Sequence, residues 1–151
     1  MDFGLLVGKT LTRVIQTEDG DGNDRMYFHC DDGAVYMLYH SQDCCESVRL
    51  DDVSGDLTDL IGTPILVAEE RSSEWRDGDP RPDDLPDELA AQRGDSSTWT
   101  FYTLRTIKGT VDLRWHGSSN GYYSEAVYFT QHEGPASEDA SVGTQAEGIT
   151  E

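Results

Sequence analysis

Alternation with a period of two, broken by tight-turn dipeptides, is the feature that most narrows what this chain can become. In RMYFHCD (Arg25–Asp31), Met26, Phe28 and Cys30 fall on one face of an extended segment, and Tyr27 and His29 on the other. AVYMLYH (Ala34–His40) follows Asp32-Gly33, a pair suited to the positive φ of a hairpin turn. TLTRVIQ (Thr10–Gln16) predicts a strand before this hairpin and PILVAEE (Pro64–Glu70) one after it. Three more runs stand in a row: STWTFYTLRTI (Ser97–Ile107), TVDLRWH (Thr110–His116) and YYSEAVYFT (Tyr122–Thr130). Lys108-Gly109 makes the first turn between them and GSSNG (Gly117–Gly121) the second, so they predict an antiparallel meander.

Helical signals are few. SGDLTDLIGTP (Ser54–Pro64) reads as one short helix around Asp56–Ile61, with Asp56 at its N-cap, Gly62 at its end and Pro64 as a stop. LPDELAAQR (Leu85–Arg93) is the other short helical stretch, inside an acidic surface excursion over residues 71–95. The expectation is one α+β, β-rich domain over residues 1–131. Its core is a single mostly antiparallel sheet or half-barrel of six to seven strands, with one or two short helices. Residues 132–151 are rich in Glu, Ser, Gly, Ala and Thr and predict a disordered acidic tail.

Charge bears on function. The net charge is −19 in 151 residues. Gln16–Asp24 holds four acids, Glu69–Asp95 ten acids against four arginines, and Glu133–Glu151 five acids with no lysine or arginine. Acidic loops of this kind keep a protein soluble. They argue against direct nucleic-acid binding, which needs a basic patch to displace counterions. They leave room for a basic partner, or for a decoy that occupies a DNA-binding cleft. No run approaches the roughly 20 apolar residues that span a bilayer, and MDFGLLVGKT lacks the basic region of a signal peptide. Three cysteines do not make a disulfide framework. Adjacent Cys44 and Cys45 are poor bridge partners, since neighbouring Cα atoms lie about 3.8 Å apart. A reduced, cytoplasmic setting follows.

YHSQDCCESV (Tyr39–Val48) concentrates the most chemistry. As a metal site it offers His40, Cys44 and Cys45 with Asp43 and Glu46, but structural zinc wants spaced cysteine pairs and a second pair elsewhere. As a nucleophile, either thiol would sit among acids that raise its pKa. The architectural reading is stronger: Asp43 and Glu46 form a capping box, Cys45 and Val48 face the core, and His40, Gln42 and Cys44 lie together at the surface. Neither a metal nor a cofactor is expected.

RWHGSSNGYYSE (Arg114–Glu125) poses a second choice. Trp115, Tyr123 and Phe129 can fill the core while the turn reverses the chain. Alternatively, Trp115, Asn120, Tyr122 and Tyr123 form an aromatic, hydrogen-bonding rim near Arg114 and Glu125.

HSQDCCESV, DLTDLIGTPIL, WTFYTLRTIKGTVDLRW and SNGYYSEAV resemble an uncharacterised family of small bacteriophage and prophage proteins, whose members typically read HDQDCCESV and SNGYYSE. The resemblance covers most of Leu6–Phe129 in segments. Ser41, where an aspartate is usual, and His116 depart from it. It implies a phage origin and action in the cytoplasm of an infected host cell. The matched positions are His40, Gln42, Asp43, Cys44, Cys45, Glu46, Lys108, Arg114, Trp115, Asn120, Tyr122, Tyr123 and Glu125.

The leading expectation is therefore a non-catalytic accessory protein that binds a host protein through His40–Glu46 and Arg114–Glu125. One alternative is a pocket that sequesters a nucleotide-like signal, with Lys108 and Arg114 on its phosphate and the aromatic residues stacking. Another is an acidic DNA mimic. An enzyme comes last, because no nucleophile, base and orienting group assemble from the sequence.

Overall fold

A computed structural model of the chain describes residues 1–18, 24–42, 45–76, 78–83, 85–90, 96–121, 123–132 and 145–147. The protein is β-rich, but it has two antiparallel sheets rather than the single sheet expected. The first comprises β1 (Leu11–Glu18), β2 (Asp24–Cys30), β3 (Val35–Tyr39), β8 (Tyr128–Gln131) and β9 (Gln145–Glu147), in the order β8-β3-β2-β1-β9. The second comprises β4 (Ser47–Ser54), β5 (Val67–Arg76), β6 (Ser96–Thr106) and β7 (Gly109–Ser119), in the order β4-β7-β6-β5. Neither sheet closes on itself into a barrel.

The period-two reading places the residues of the β2–β3 hairpin well. Met26, Phe28 and Cys30 enter the main core, whereas Tyr27 packs on the opposite face with Ile15, Val35 and Met37. The core joins inward residues of both sheets: Val14, Phe28 and Leu38 from one, and Tyr102, Leu104, Leu113 and Trp115 from the other. Phe3, on a 3-10 turn at Phe3–Leu6, sits where they meet. Its ring lies 4.7 Å from Tyr102, 5.1 Å from Phe129 and 6.2 Å from Phe28. Fully burying an aromatic ring of this kind stabilises the fold by about 1.5–3 kcal/mol.

Several elements differ from expectation. The helix predicted around Asp56–Ile61 is a single 3-10 turn, Leu57–Leu60. Asp56 caps it as foreseen, accepting from Thr58 N at 3.0 Å and Thr58 Oγ1 at 2.7 Å. The turn ends because Gly62 adopts φ +87° and Pro64 follows it. The helix in the excursion is also one turn, Asp87–Ala90. β5 continues through Arg76, so the connection to β6 is 77–95 rather than 71–95. Leu85 in that connection is buried against Trp99 on the outer face of the second sheet. The region expected to be a disordered tail contributes β9, which pairs with β1 and supplies partners for its edge.

The meander is the largest correction. β6 and β7 pair along eleven residues each, but the third predicted strand does not join them. After Ser119 the chain crosses to the other sheet, and Tyr128–Gln131 pairs with β3. A close approach marks this crossing: a Cβ on Gly117 would meet Glu125 Cβ at 2.7 Å and Glu125 O at 2.8 Å. Among the described residues, no helix is long and apolar enough to cross a membrane.

Candidate functional site

The loop after β3 and the segment after β7 meet at one end of the protein. His40, the residue after β3, is 7% exposed and has an acceptor at each ring nitrogen. Nδ1 donates to Ala126 O at 2.6 Å, and Nε2 lies 2.8 Å from Glu46 Oε2. Glu46 is itself only 4% exposed. Gln42 closes the loop by donating to Glu46 O at 2.7 Å. The imidazole stacks against Tyr128 with 6.3 Å between centroids.

These contacts revise the capping-box reading. Glu46 is buried and paired with His40, and Cys45, expected in the core, is exposed. Val48 does face the core. Cys45 is disulfide-bonded, against the expectation of no bridge, whereas Cys30 is a free buried thiol. Asp43, Cys44 and Tyr122, all named as site candidates, lie outside the described residues.

On the other side of the meeting point, Gly121 takes φ +92° after Asn120, as the Asn-Gly pair predicts. Its amide donates to Ser119 Oγ at 2.9 Å. Glu125 then turns inward and is 6% exposed. Its Oε1 accepts from Thr98 Oγ1 at 2.7 Å and its Oε2 from Ser119 Oγ at 2.5 Å. Beside it opens a cavity of about 520 Å³ between the end of β5, β6 and residues 121–127. Glu70, Glu74, Thr98, Thr100, Tyr123 and Glu125 are among its walls.

The remaining candidates lie elsewhere. Trp115 is 0% exposed in the main core, so it is a packing residue. Arg114, its neighbour on β7, faces the opposite side of the sheet. There its Nε and Nη2 both lie 2.9 Å from Asp51 Oδ2. Asp51 is the extra residue of a bulge in β4, where the register slips between Leu50 and Asp52. Such an insertion re-aims a side chain. Lys108, in the β6–β7 turn, donates to Ile61 O at 2.6 Å and secures the 3-10 turn. Lys108 and Arg114 therefore do not converge, and the phosphate clamp expected of them is not formed.

His116 stacks on Trp99 at 5.0 Å on the outer face and lies 3.2 Å from Ser97 Oγ. Burial lowers its pKa. Sequence reasoning missed Thr98, Thr100 and Ser119. The signal was present: these hydroxyls share the alternating face of Tyr102 and Leu104, where an apolar residue is the rule. Among the described residues, no three His, Cys, Asp or Glu side chains are grouped to hold a metal ion.

No curated protein and no solved structure shows significant similarity to the chain. A family model described as a domain of unknown function, DUF7448, matches residues 4–129, a span that takes in β1–β7, the start of β8 and both loops of the site. The chain belongs to the DUF7448 family.

Proposed function

We propose that this is a non-catalytic binding protein that engages a host macromolecule, as a phage-encoded accessory protein would. The end of the protein where His40, Gln42 and Glu46 meet residues 119–121 and 123–127 is its docking surface. One observation carries this reading: His40 ties the two loops together, with one nitrogen on Ala126 and the other on Glu46. Loops that are already ordered lose less conformational entropy when a partner binds, so a pinned loop pair suits recognition. Tyr128, exposed and stacked on His40, presents an aromatic ring at the rim, and Asn120 is exposed on the segment after β7. Tyrosine is over-represented where binding energy concentrates. The net charge of −19 favours a partner with a basic surface and speeds its approach at low salt.

The test is affinity capture from a bacterial host lysate with the full chain and an Asn120→Ala/Tyr128→Ala variant. A protein retained by the first and lost from the second supports the reading. Equal retention by both places the interface elsewhere and overturns it.

A further inference from the structure

The inward face of the second sheet changes character along its length. Tyr102, Leu104, Leu113 and Trp115 are each 0% exposed and apolar in contact. Further along the same face stand the buried Thr100, Thr98 and Ser96 on β6, paired with Ser72, Glu74 and Arg76 on β5, which are exposed. Residues 121–127 cross over them without filling the space, which leaves the cavity of about 520 Å³. The buried hydroxyls of Thr98 and Thr100 and the buried carboxylate of Glu125 are unfavourable there unless something polar meets them.

Two observations indicate what that is. Glu125 is 6% exposed, and each of its oxygens takes one neutral hydroxyl. Among the described residues no cation pairs with it, whereas Glu46, equally buried, has His40. A buried carboxylate normally has a counter-charge. The second observation is Thr100, which lines the cavity and is 4% exposed. Its hydroxyl meets no hydrogen-bond partner among the described residues. Arg76, also on the wall, is turned toward Ser96 Oγ at 3.0 Å and Glu74 at 3.7 Å. Glu70, Glu74 and Glu125 thus outweigh it and leave the cavity net negative. These acids are not grouped for a metal ion. They suit a larger, hydrogen-bonding cation.

We infer that this cavity binds an organic cation, an ammonium or guanidinium group, with its charge against Glu125 and Glu74 and an N–H donated to Thr100 Oγ1. The inference rests on the binding reading above and names the group on the partner, a lysine or arginine side chain. A free polyamine is the other source of the same chemistry.

The experiment is an amide chemical-shift titration of the full chain with N-acetyl-lysine methylamide, N-acetyl-arginine methylamide and spermidine. N-acetyl-norleucine methylamide is the neutral control. The expected result is saturable shifts at Thr98, Thr100 and Ser124–Val127 with a cation and none with norleucine. Glu125→Gln should weaken binding by about 30-fold or more, the usual consequence of removing one member of a buried charge pair. Thr100→Val, which keeps the shape and charge of the wall, should weaken it severalfold and keeps the test decisive if Glu125→Gln fails to fold. Glu88→Gln, an exposed acid outside the cavity, should change nothing. Saturable binding of spermidine alone supports the cavity and withdraws the macromolecular partner. Shifts scattered over surface acids, or binding indifferent to both cavity variants, overturn the inference. Absence of binding by any cation, alongside a captured host protein, overturns the cavity and leaves the docking surface standing.

Discussion

His40 and Glu46 meet at 2.8 Å with side chains only 3% and 0% exposed, six residues apart in sequence. Because Ala126 O can only accept, His40 Nδ1 carries a hydrogen, and the Nε2–Oε2 contact then holds one proton of its own. Removing one partner leaves the other buried and unmatched. His40→Ala should therefore destabilise the protein by about 3–5 kcal/mol. Glu46→Gln, which keeps an acceptor for the ring, should cost about 1–2 kcal/mol. Urea unfolding at pH 7 measures both. Losses under about 1 kcal/mol for the two alike would show that the pair contributes nothing.

Gly117→Ala tests the crossing of residues 119–127. The new methyl would meet Glu125 backbone and Cβ atoms at 2.7–3.2 Å, and these cannot swing aside like a side-chain tip. Overpacking of this kind costs about 1–3 kcal/mol. The amide resonances of Ser124–Val127 should move more than those of β2. An unchanged spectrum with unchanged stability would mean that the crossing lies further from β7.

How much of this was legible beforehand depends on which physical signal each element uses. The hairpin of β2 and β3 was readable because Met26 and Phe28 alternate with Tyr27, and burial follows that alternation. The departure of Tyr122–Thr130 from the meander was not readable, since alternation says which face is apolar and not which sheet a strand joins. Asp43-x-x-Glu46 fits a capping box on spacing alone, yet Glu46 has a partner three residues before Asp43, which spacing rules do not weigh. Arg114 and Trp115 were grouped as neighbours in sequence, although adjacent strand residues must face opposite ways. The period of two alone already separates Arg114 from Trp115.

His116 gives a pH dependence with a definite sign. Burial lowers its pKa below the ordinary 6.5; Asp51 and Glu125 oppose the shift, while Arg49 and Arg114 add to it. The folded state thus gives up its proton at a pH where the unfolded chain still binds one. His116's contribution to stability is present above about pH 6.5 and falls as the pH drops toward its folded value. Chemical denaturation at pH 7.5 and 5.5 should show wild type losing more stability than His116→Gln. Parallel losses would remove His116 as a source of acid sensitivity.

Cys30 is expected to be chemically quiet. Burial first, and Asp32 next, push its thiol up to about 11, so little thiolate exists at neutral pH. Iodoacetamide at pH 8 should leave Cys30 unmodified in the folded protein and alkylate it in urea, as peptide mass spectrometry would read. Rapid native alkylation would mean that the core around Leu11 and Cys30 opens readily.

Arg114 separates a structural role from a recognition role. Its guanidinium meets Asp51 with side chains 25% and 11% exposed, on the face of the second sheet away from the cavity. A partly exposed pair of this geometry should show a coupling of about 0.5–1.5 kcal/mol in a double-mutant cycle of Arg114→Gln and Asp51→Asn. If Arg114 serves only to hold the bulge of β4, the single variant loses that stability and still retains a captured host protein. The same holds for cation binding in the cavity, because the strand puts its side chain on the far side from Trp115 and Gly117. Loss of partner binding at unchanged stability would reverse the assignment, making the outer face of β7 part of the docking surface.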